Sequence, residues 1–385
     1  MKKLKVMTVF GTRPDAVKMA PLVNELKKYP EIDSIVCVTA QHRQMLDQVL
    51  NVFKIIPDFD LNIMQASQSL EYITSSALEG LSRVFRQVSP DVVLVHGDTT
   101  TCFAASLAAF YNKISLGHVE AGLRTFDNYS PFPEEMNRKL TGVLSNLHFA
   151  PTTTNKANLI NEGVKEDKIY ITGNTVIDAL KTTVNKGYMF QNETLQKVAF
   201  TKRRIITITA HRRENLGEPL SNICRAIKRI IESYDDLEAI YSVHPNPAVQ
   251  EITGNILQQH PRIHLISPLN AQDMHNLQDR SYFIMTDSGG LQEEAPSLGK
   301  PVLVLRKETE RPEAVEAGTV KLAGTDEDRI VNLACQLLDD AGEYDHMAKA
   351  VNPYGDGNAS ERIIKALLYE FGIKNEKPED FITKG

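Results

Sequence analysis

Residues 90–120 read PDVVLVHGDTTTCFAASLAAFYNKISLGHVE, and this stretch predicts the fold class of the chain. Val92 to Val95 is a short apolar run bounded by a proline and a glycine, which is typical of a strand buried on both faces of a parallel sheet. A helix predicted from about Thr99 to Tyr111 and a second buried strand over Ser115 to Val119 complete a β-α-β unit. The chain is therefore predicted to be an α/β protein.

Acidic residues follow both of these strands. Asp98 comes just after the first strand, Glu120 just after the second, and Glu134 follows the turn PFP. Because ligands of open α/β sheets bind beyond the carboxyl ends of the strands, these three acids predict a site for chemistry. Structural alternatives remain: Asp98 could cap the next helix and Glu134 could be a first-turn acid. For Glu120 the alternative is weaker, because the glycines of GHVEAGLRT indicate close backbone approach to another group.

The composition is that of an ordinary globular protein. The length of 385 residues favours two domains, and 42% hydrophobic and 24% charged residues are usual values. A net charge of -6 argues against nucleic acid or a membrane surface as partner, and no segment is long and apolar enough to span a bilayer. The dispersed cysteines indicate no disulfide framework and no zinc site, so a reducing cytoplasm is expected; they are Cys37, Cys102, Cys224 and Cys335.

The first strand, over Leu4 to Phe10, runs into GTRPDAVKMAP, which predicts a helix start. The backbone of this turn, together with Arg13 and Lys18, suits a phosphate or a carboxylate. The alternative for Lys18 is a solvated helix face. Neither a GxGxxG motif nor a Walker loop is present here, so dinucleotide and NTPase functions are not indicated.

The alternation of strands and helices restarts after a polar segment at about residues 185–202. His211 and His244 each follow a predicted strand in this half of the chain. Two doubly wound, Rossmann-like domains facing a cleft are therefore expected. The predicted domains are residues 1–180 and 181–358, with residues 359–385 forming a helix that crosses back to the first domain.

The strongest single feature is TDSGGLQEE, residues 286–294. A strand that ends at Asp287 and continues into Ser288, Gly289 and Gly290 predicts a helix start that a diphosphate can approach closely. Glu294, about one turn further, is predicted to accept hydrogen bonds from ribose hydroxyls.

These motifs closely resemble those of the non-hydrolysing UDP-N-acetylglucosamine 2-epimerases, whose fold resembles that of the GT-B glycosyltransferases. The resemblance covers essentially the whole chain. It rests, in chain order, on GTRPDAVKMAP, HGDTTT, GHVEAGLRT, PFPEEMNR, TAHRRENLGEP, TDSGGLQEEAPSLGKPVLVLR, ERPEAVEAGT and NPYGDGNAS. Asp15 replaces the usual glutamate of the first motif, a change that matters only if this carboxylate caps the helix.

The resemblance implies a reversible conversion of UDP-N-acetylglucosamine to UDP-N-acetylmannosamine in the cytoplasm, by a homodimer and without metal or cofactor. Elimination of UDP to a 2-acetamidoglucal and its re-addition would carry the reaction. The product would supply a cell-surface polysaccharide such as a teichoic acid linkage unit or a capsule. Three alternatives stay open: a hydrolysing epimerase that releases N-acetylmannosamine, a GT-B glycosyltransferase and a non-catalytic sugar-nucleotide sensor.

The resemblance and the strand-end positions also imply the site residues. The catalytic set is Asp98, Glu120, Glu134 and His211. The substrate-binding set is Arg13, Lys18, Asp98, Glu120, His211, His244, Ser288, Gly289, Gly290, Glu294 and Arg311. An allosteric second substrate site is expected at Gln41, His42 and Gln44, although an arginine expected near Ser67 is absent.

Overall fold

The chain divides into two compact units. A computed structural model describes residues 3–382, of which residues 3–182 and 354–382 form the first unit and residues 183–353 the second. The sequence predicts boundaries at 180/181 and 358/359, and residues 1, 2 and 383–385 of the predicted ranges lie outside the described residues. Residues 354–358 belong with the first unit because the Asn174 amide donates a 2.6 Å hydrogen bond to the Tyr354 carbonyl.

The first unit is built on a parallel sheet. Its strands within residues 3–382 are β1 (Leu4–Phe10), β2 (Ile32–Val38), β3 (Phe59–Asp60), β4 (Val92–His96), β5 (Ser115–Val119), β6 (Leu147–Ala150) and β7 (Ile169–Ile171). Their order in the sheet is β3-β2-β1-β4-β5-β6-β7, and every neighbouring pair is parallel. The strand order reverses between β1 and β4, where an open α/β sheet places its ligand site.

Helices connect these strands. They are α1 (Arg13–Leu26), α2 (Arg43–Val52), α3 (Leu70–Val88), α4 (Thr100–Tyr111), α5 (Glu134–Leu144), α6 (Thr153–Asn161) and α7 (Thr175–Thr183). Helix α4 is alanine-rich and is buried between the sheet and its neighbours α3 and α5. Its small side chains let it lie close to Val93 and Val95 of the sheet, which forms the core of this unit.

The second unit repeats the arrangement. Its strands are β8 (Arg204–Thr209), β9 (Leu237–Ser242), β10 (Ile263–Ile266), β11 (Phe283–Thr286), β12 (Val302–Val304) and β13 (Val320–Leu322). The sheet is parallel with the order β10-β9-β8-β11-β12-β13, so its reversal point lies between β8 and β11. Its helices are α8 (Glu193–Lys197), α9 (Glu218–Ser233), α10 (Pro247–Leu257), α11 (Ala271–Arg280), α12 (Gly289–Ser297), α13 (Pro312–Glu316), α14 (Glu327–Asp339) and α15 (Ala341–Lys349).

A last helix, α16 (Ala359–Glu370), packs against α1 of the first unit. Asp178 of α7 accepts a 2.8 Å hydrogen bond from the Ser360 amide, and Lys168 pairs with Glu370 at 2.7 Å. The predicted α/β class with two doubly wound, Rossmann-like sheets is confirmed. None of the helices between residues 3 and 382 is long and apolar enough to cross a membrane.

Candidate active site

The carboxyl ends of β1, β4 and β5 bring together some of the residues that the sequence predicts for the first domain. Asp98 lies two residues beyond β4 and Glu120 directly beyond β5, and these two strands are neighbours in the sheet. Arg13 begins α1 just beyond β1. Residues that are more than 80 positions apart in the sequence therefore lie along one edge of a single sheet.

Asp98 is held by an arginine that sequence reasoning missed. Arg138 donates to Asp98 Oδ2 from Nη2 at 2.6 Å and from Nε at 2.9 Å. The alternative in which Asp98 caps the next helix is wrong, because Thr99 is the cap of α4 and accepts a hydrogen bond from the Cys102 amide. Asp98 is thus a carboxylate paired with a guanidinium at a strand end.

Glu120 adopts a backbone conformation that residues with a Cβ atom rarely adopt. Its φ angle is 62°, and such strained residues cluster at functional sites. Glu120 Oε2 accepts hydrogen bonds from Lys18 Nζ and, at 2.7 Å, from Asn174 Nδ2, and it lies 3.7 Å from His96 Nε2. The alternative in which Lys18 lies on a solvated helix face is therefore wrong.

The environment of Glu120 favours its ionised form. Burial alone would raise the pKa of Glu120, but the Lys18 ammonium, the His96 ring and the Asn174 amide together outweigh burial and hold this pKa well below its ordinary range. His96 is also buried, and burial lowers its pKa to about 4. At neutral pH the cluster thus contains a charged Glu120 beside a neutral His96.

Glu134 is the first residue of α5, in keeping with the alternative of a first-turn acid, and it is half-buried. The adjacent Glu135 is fully buried and accepts hydrogen bonds from the amides of Thr125 and Phe126 at 3.1 and 3.2 Å. Glu135 also contacts Arg138 at 3.2 Å. Glu135, which sequence reasoning did not assign, therefore fixes both the loop before α5 and the partner of Asp98.

Thr12 is the N-cap residue of α1 and Asp15 completes its capping box, so the carboxylate at this position does cap the helix. Its carboxylate accepts hydrogen bonds from the amides of Gly11, Thr12 and Ala16 at 3.1, 2.8 and 2.9 Å. Burial raises the pKa of Asp15 to about 6, although these hydrogen bonds oppose the shift. The sequence predicts that the backbone amides of this turn bind a ligand, but the amides named above donate to Asp15 instead. The Arg13 side chain therefore remains as the predicted ligand contact of the turn.

His211 lies beyond β8 in the second unit, opposite a buried carboxylate. Asp287 Oδ2 accepts hydrogen bonds from the amides of His211 and Arg212, each at 2.7 Å, and so shapes the loop. Asp287 Oδ1 is fully buried without a hydrogen-bond partner and lies 3.8 Å from His211 Nδ1. Burial lowers the pKa of His211 although Asp287 opposes this shift, and the His211 ring stacks on His244 with centroids 5.0 Å apart.

Ser288, Gly289 and Gly290 form the start of α12, as the sequence predicts. A Cβ atom on Gly289 would come within 2.6 Å of Arg311 Cζ, so only glycine lets this guanidinium lie against the first turn of the helix. Arg311 is itself oriented by Glu293 at 2.8 Å. A helix amino terminus with an adjoining arginine is a geometry suited to a phosphate group.

Glu294 lies one turn into α12 and is 9% exposed. Its Oε2 accepts a 2.7 Å hydrogen bond from Gln278 Nε2 and lies 3.6 Å from His275 Nε2, so its orientation is set by α11. Gln278 and His275 were not singled out from the sequence.

The residues of the expected allosteric site follow β2. Gln41 is buried, and its Oε1 accepts a 2.9 Å hydrogen bond from Thr101 Oγ1. His42 is half-buried and Gln44 is exposed. Across residues 3–382, no group of three or more His, Cys, Asp or Glu side chains is arranged to hold a metal ion.

Comparison with known proteins identifies, over nearly the whole chain, the same family that the sequence motifs resemble. The family model "UDP-N-acetylglucosamine 2-epimerase" matches residues 24–368. The UDP-N-acetylglucosamine 2-epimerase of Bacillus subtilis is 61% identical over 384 residues, which cover 100% of both chains.

Solved structures agree with these sequence matches. A Staphylococcus aureus protein solved with UDP is 50% identical with a TM-score of 0.89, over 99% of this chain and 100% of that one. The Neisseria meningitidis UDP-GlcNAc 2-epimerase bound to UDP-GlcNAc is 51% identical with a TM-score of 0.86, over 95% of this chain and 100% of that one. The fold is that of these enzymes, as the predicted GT-B-like class requires. The chain belongs to the UDP-N-acetylglucosamine 2-epimerase family.

Proposed function

We propose that this chain interconverts UDP-N-acetylglucosamine and UDP-N-acetylmannosamine without releasing free sugar. The observation that carries the proposal is the pair of carboxylates at adjacent strand ends, Asp98 on Arg138 and Glu120 on Lys18. Two acids in different electrostatic surroundings suit a reaction that removes a proton from one face of a carbon atom and returns a proton to the other. The relative bound to UDP-GlcNAc supports the choice of substrate.

Elimination and re-addition avoid a free carbanion at C2, which has no carbonyl neighbour in the sugar ring. A carboxylate takes the C2 proton while the C1–O bond to UDP breaks. The C–H electrons become the C1=C2 double bond of a 2-acetamidoglucal, and the C1–O electrons leave with UDP. A proton then returns to the opposite face of C2, and UDP adds again at C1. Asp98, Glu120, Glu134 and His211 form the proposed catalytic set.

The second unit supplies the proposed binding groups for UDP. The start of α12 and Arg311 carry the positive character that a departing diphosphate requires, and the buried Glu294 is suited to accept hydrogen bonds from ribose hydroxyls. His211 and His244 lie at neighbouring strand ends of the same sheet. Arg13 and Lys18 of the first unit complete the proposed substrate-binding set.

Replacing Gly289 with alanine is expected to weaken UDP binding about 10- to 100-fold. The added methyl group displaces Arg311, and loss of one charge-assisted contact corresponds to roughly 1.5–3 kcal/mol. Isothermal titration with UDP measures the change. Gly254→Ala on α10 is the control, since its Cβ would meet only Gln258 Oε1 at 3.5 Å, an ordinary contact. Equal affinities of G289A and the wild type would contradict the proposed phosphate site.

Incubation with UDP-N-acetylglucosamine in deuterated water, followed by NMR of the sugar, tests the proposed reaction. Deuterium at C2 of both epimers without free sugar is expected. Accumulation of free N-acetylmannosamine would indicate a hydrolysing epimerase instead. If no deuterium is exchanged at saturating substrate, the protein is a glycosyltransferase or a sensor. Adding a sugar acceptor distinguishes these two, because only a glycosyltransferase would use it.

We infer that the enzyme is a homodimer and that it uses an exposed apolar face of the first unit. Helices α4 and α5 pack side by side, and each ends in exposed apolar side chains: Phe110, Tyr111, Leu140 and Val143. Such a patch on a soluble protein is typical of an interface. A second copy of the chain is the proposed occupant because closed twofold dimers, which bury the same patch of both copies, are the commonest protein assemblies.

Sedimentation velocity is expected to show a particle of twice the chain mass. The double variant Tyr111→Glu, Val143→Glu should shift it to the monomer, because carboxylates cannot be buried there without partners. Ile160→Glu, at an exposed apolar residue on α6, is the control. A dimer that persists in the double variant would place the interface elsewhere.

The family resemblance implies two further features, a pathway and an activating site. We infer that the product feeds synthesis of a cell-surface polysaccharide, which consumes N-acetylmannosamine. A second substrate molecule is proposed to activate the enzyme through the region of Gln41, His42 and Gln44. With the Gln41 side chain bound to Thr101, His42 and Gln44 are the side chains best placed to respond to a ligand there.

A further inference from the structure

Asn174 lies beyond β7 and is 2% exposed. Its Oδ1 accepts a 3.1 Å hydrogen bond from the Val176 amide and so caps α7. Because the carbonyl end of the side chain is used in this way, the amide end must face the other way, and Nδ2 donates to Glu120 Oε2 at 2.7 Å. The helix cap therefore decides which end of Asn174 meets the carboxylate.

The backbone of Asn174 is held by the segment Tyr354–Gly357, which returns from the second half of the chain. The Asn174 amide donates to the Tyr354 carbonyl at 2.6 Å. Gly173 and Gly355 have φ angles of 80° and 149°, and a Cβ atom on Gly173 would lie 3.2 Å from Gly355 Cα. Glycine at both positions lets the two backbones approach this closely.

Glu120 needs such external support because its backbone is strained, with a φ angle of 62°. Lys18 and Asn174 approach it from different elements, α1 and the β7–α7 turn, and both donate to Oε2. Two donors on one oxygen atom fix the direction of the carboxylate. The lysine supplies a charge on a flexible stem, whereas the capped amide supplies a fixed direction.

We propose that Asn174 is the positioning residue that sets the orientation of Glu120 for proton transfer, and that Tyr354–Gly357 holds Asn174 in place. The inference rests on the proposed function, because it takes Glu120 to exchange a proton with the sugar. It also gives the motif NPYGDGNAS a role that its distance in sequence from the acids does not suggest.

Two substitutions separate positioning from capping. Asn174→Ser and Asn174→Asp both keep an oxygen atom that can cap α7, but neither keeps the amide donor. The aspartate also adds a negative charge beside Glu120. The charged and titratable groups that face Glu120 are otherwise Lys18 from α1, His96 from β4 and Arg138 from α5, which itself pairs with Asp98.

We expect Asn174→Ser to lower kcat at least about 10-fold with little change in KM, and Asn174→Asp to lower it further. In the aspartate variant, the pKa of the Glu120 carboxyl should rise because like charges disfavour ionisation. NMR of ¹³C-labelled glutamate measures this pKa, and the E120Q variant assigns the Glu120 signal. Asn192→Ser and Asn192→Asp are matched controls, since Asn192 caps α8 through the same atom and contacts none of the site residues named above.

Wild-type kcat in Asn174→Ser together with an unchanged Glu120 pKa in Asn174→Asp would overturn the positioning role. That result leaves the proposed function intact if the wild type exchanges deuterium at C2. Conversely, a wild type that exchanges nothing would refute the proposed function, whereas the NMR titration would still report on the contact between Asn174 and Glu120. Urea unfolding of each variant measures its free energy of unfolding. A loss of stability would show that the missing helix cap, rather than the missing hydrogen-bond donor, explains a lower kcat.

Discussion

Replacing Glu120 with glutamine is expected to lower turnover by about 10³-fold, in the middle of the range for removal of a general acid or base. Glutamine nearly matches glutamate in size but can neither take up nor release the proton. The variant also leaves the Lys18 ammonium without its carboxylate, which disturbs the local charge balance. Conversion of UDP-N-acetylglucosamine and deuterium incorporation at C2 should fall together, because the proposed mechanism uses the same proton transfer for both.

Glu162→Gln provides the matched control for this change. Glu162 also pairs with a cation, since Arg124 donates to it from Nε at 2.7 Å and from Nη2 at 2.6 Å, but it lies at the end of α6. E162Q should retain turnover within about twofold, whereas E120Q should not. An E120Q enzyme with turnover close to that of the wild type would remove Glu120 from the proposed catalytic set.

The first unit is expected to lose stability steeply as the pH falls below about 6.5. Three buried histidines lie on adjacent strands, and burial lowers the pKa of His96 to about 4, of His118 to about 3 and of His148 to about 4. Each is neutral in the folded protein but becomes protonated on unfolding below its ordinary pKa near 6.5. Their stabilising contribution is therefore complete above pH 6.5 and is lost as the pH falls toward 4.

Asp15 acts in the opposite direction. Its folded pKa of about 6 lies above the ordinary value of 3.8, so the folded state binds this proton more tightly and gains stability as the pH falls from 6 to 3.8. One carboxyl offsets only part of the effect of three histidines. Between pH 7 and pH 5 the net loss should be on the order of 4 kcal/mol, from 1.36 kcal/mol per pKa unit.

Urea unfolding at a series of pH values between 5 and 7.5 measures this loss. His148→Gln removes one of the titrating groups, so the slope of unfolding free energy against pH should become smaller in this variant, whatever its absolute stability. His346→Gln, at an exposed histidine on α15, is the control and should keep the wild-type slope. Identical slopes in H148Q and the wild type would rule out this source of acid sensitivity.

The sequence predicts much of the fold because buried parallel strands have a recognisable pattern. Val92 to Val95 is a continuous apolar run, and Ser115 to Val119 is predicted as a second buried strand; both are strands in the structure. Once the strands are known, the carboxyl-end rule directs attention to Asp98 and Glu120. The adjacent glycines of TDSGGLQEE, which directly follow a predicted strand, likewise predict the start of α12.

The sequence does not predict the hydrogen-bond partners of these residues, because those partners depend on which helices and strands pack together. Arg138 lies 40 residues from Asp98, and Asn174 lies 54 residues from Glu120. Asn174 follows β7 in GNT, so the strand-end rule could have indicated it, but the rule does not say which carboxylate an amide meets. Nothing in the pattern around Glu135 or His96 distinguishes them from ordinary helix and strand residues.

The sequence by itself therefore determined the class of the fold, the positions of the strand ends and the family. These follow from local properties: apolar runs, glycines at turns and the order of motifs along the chain. Only the tertiary structure decided that Thr99 rather than Asp98 caps α4, that Asp15 takes the amides of its own turn and that Lys18 pairs with Glu120. Those outcomes depend on burial and distance between elements remote in sequence, because a buried charge requires a partner that only packing can bring to it.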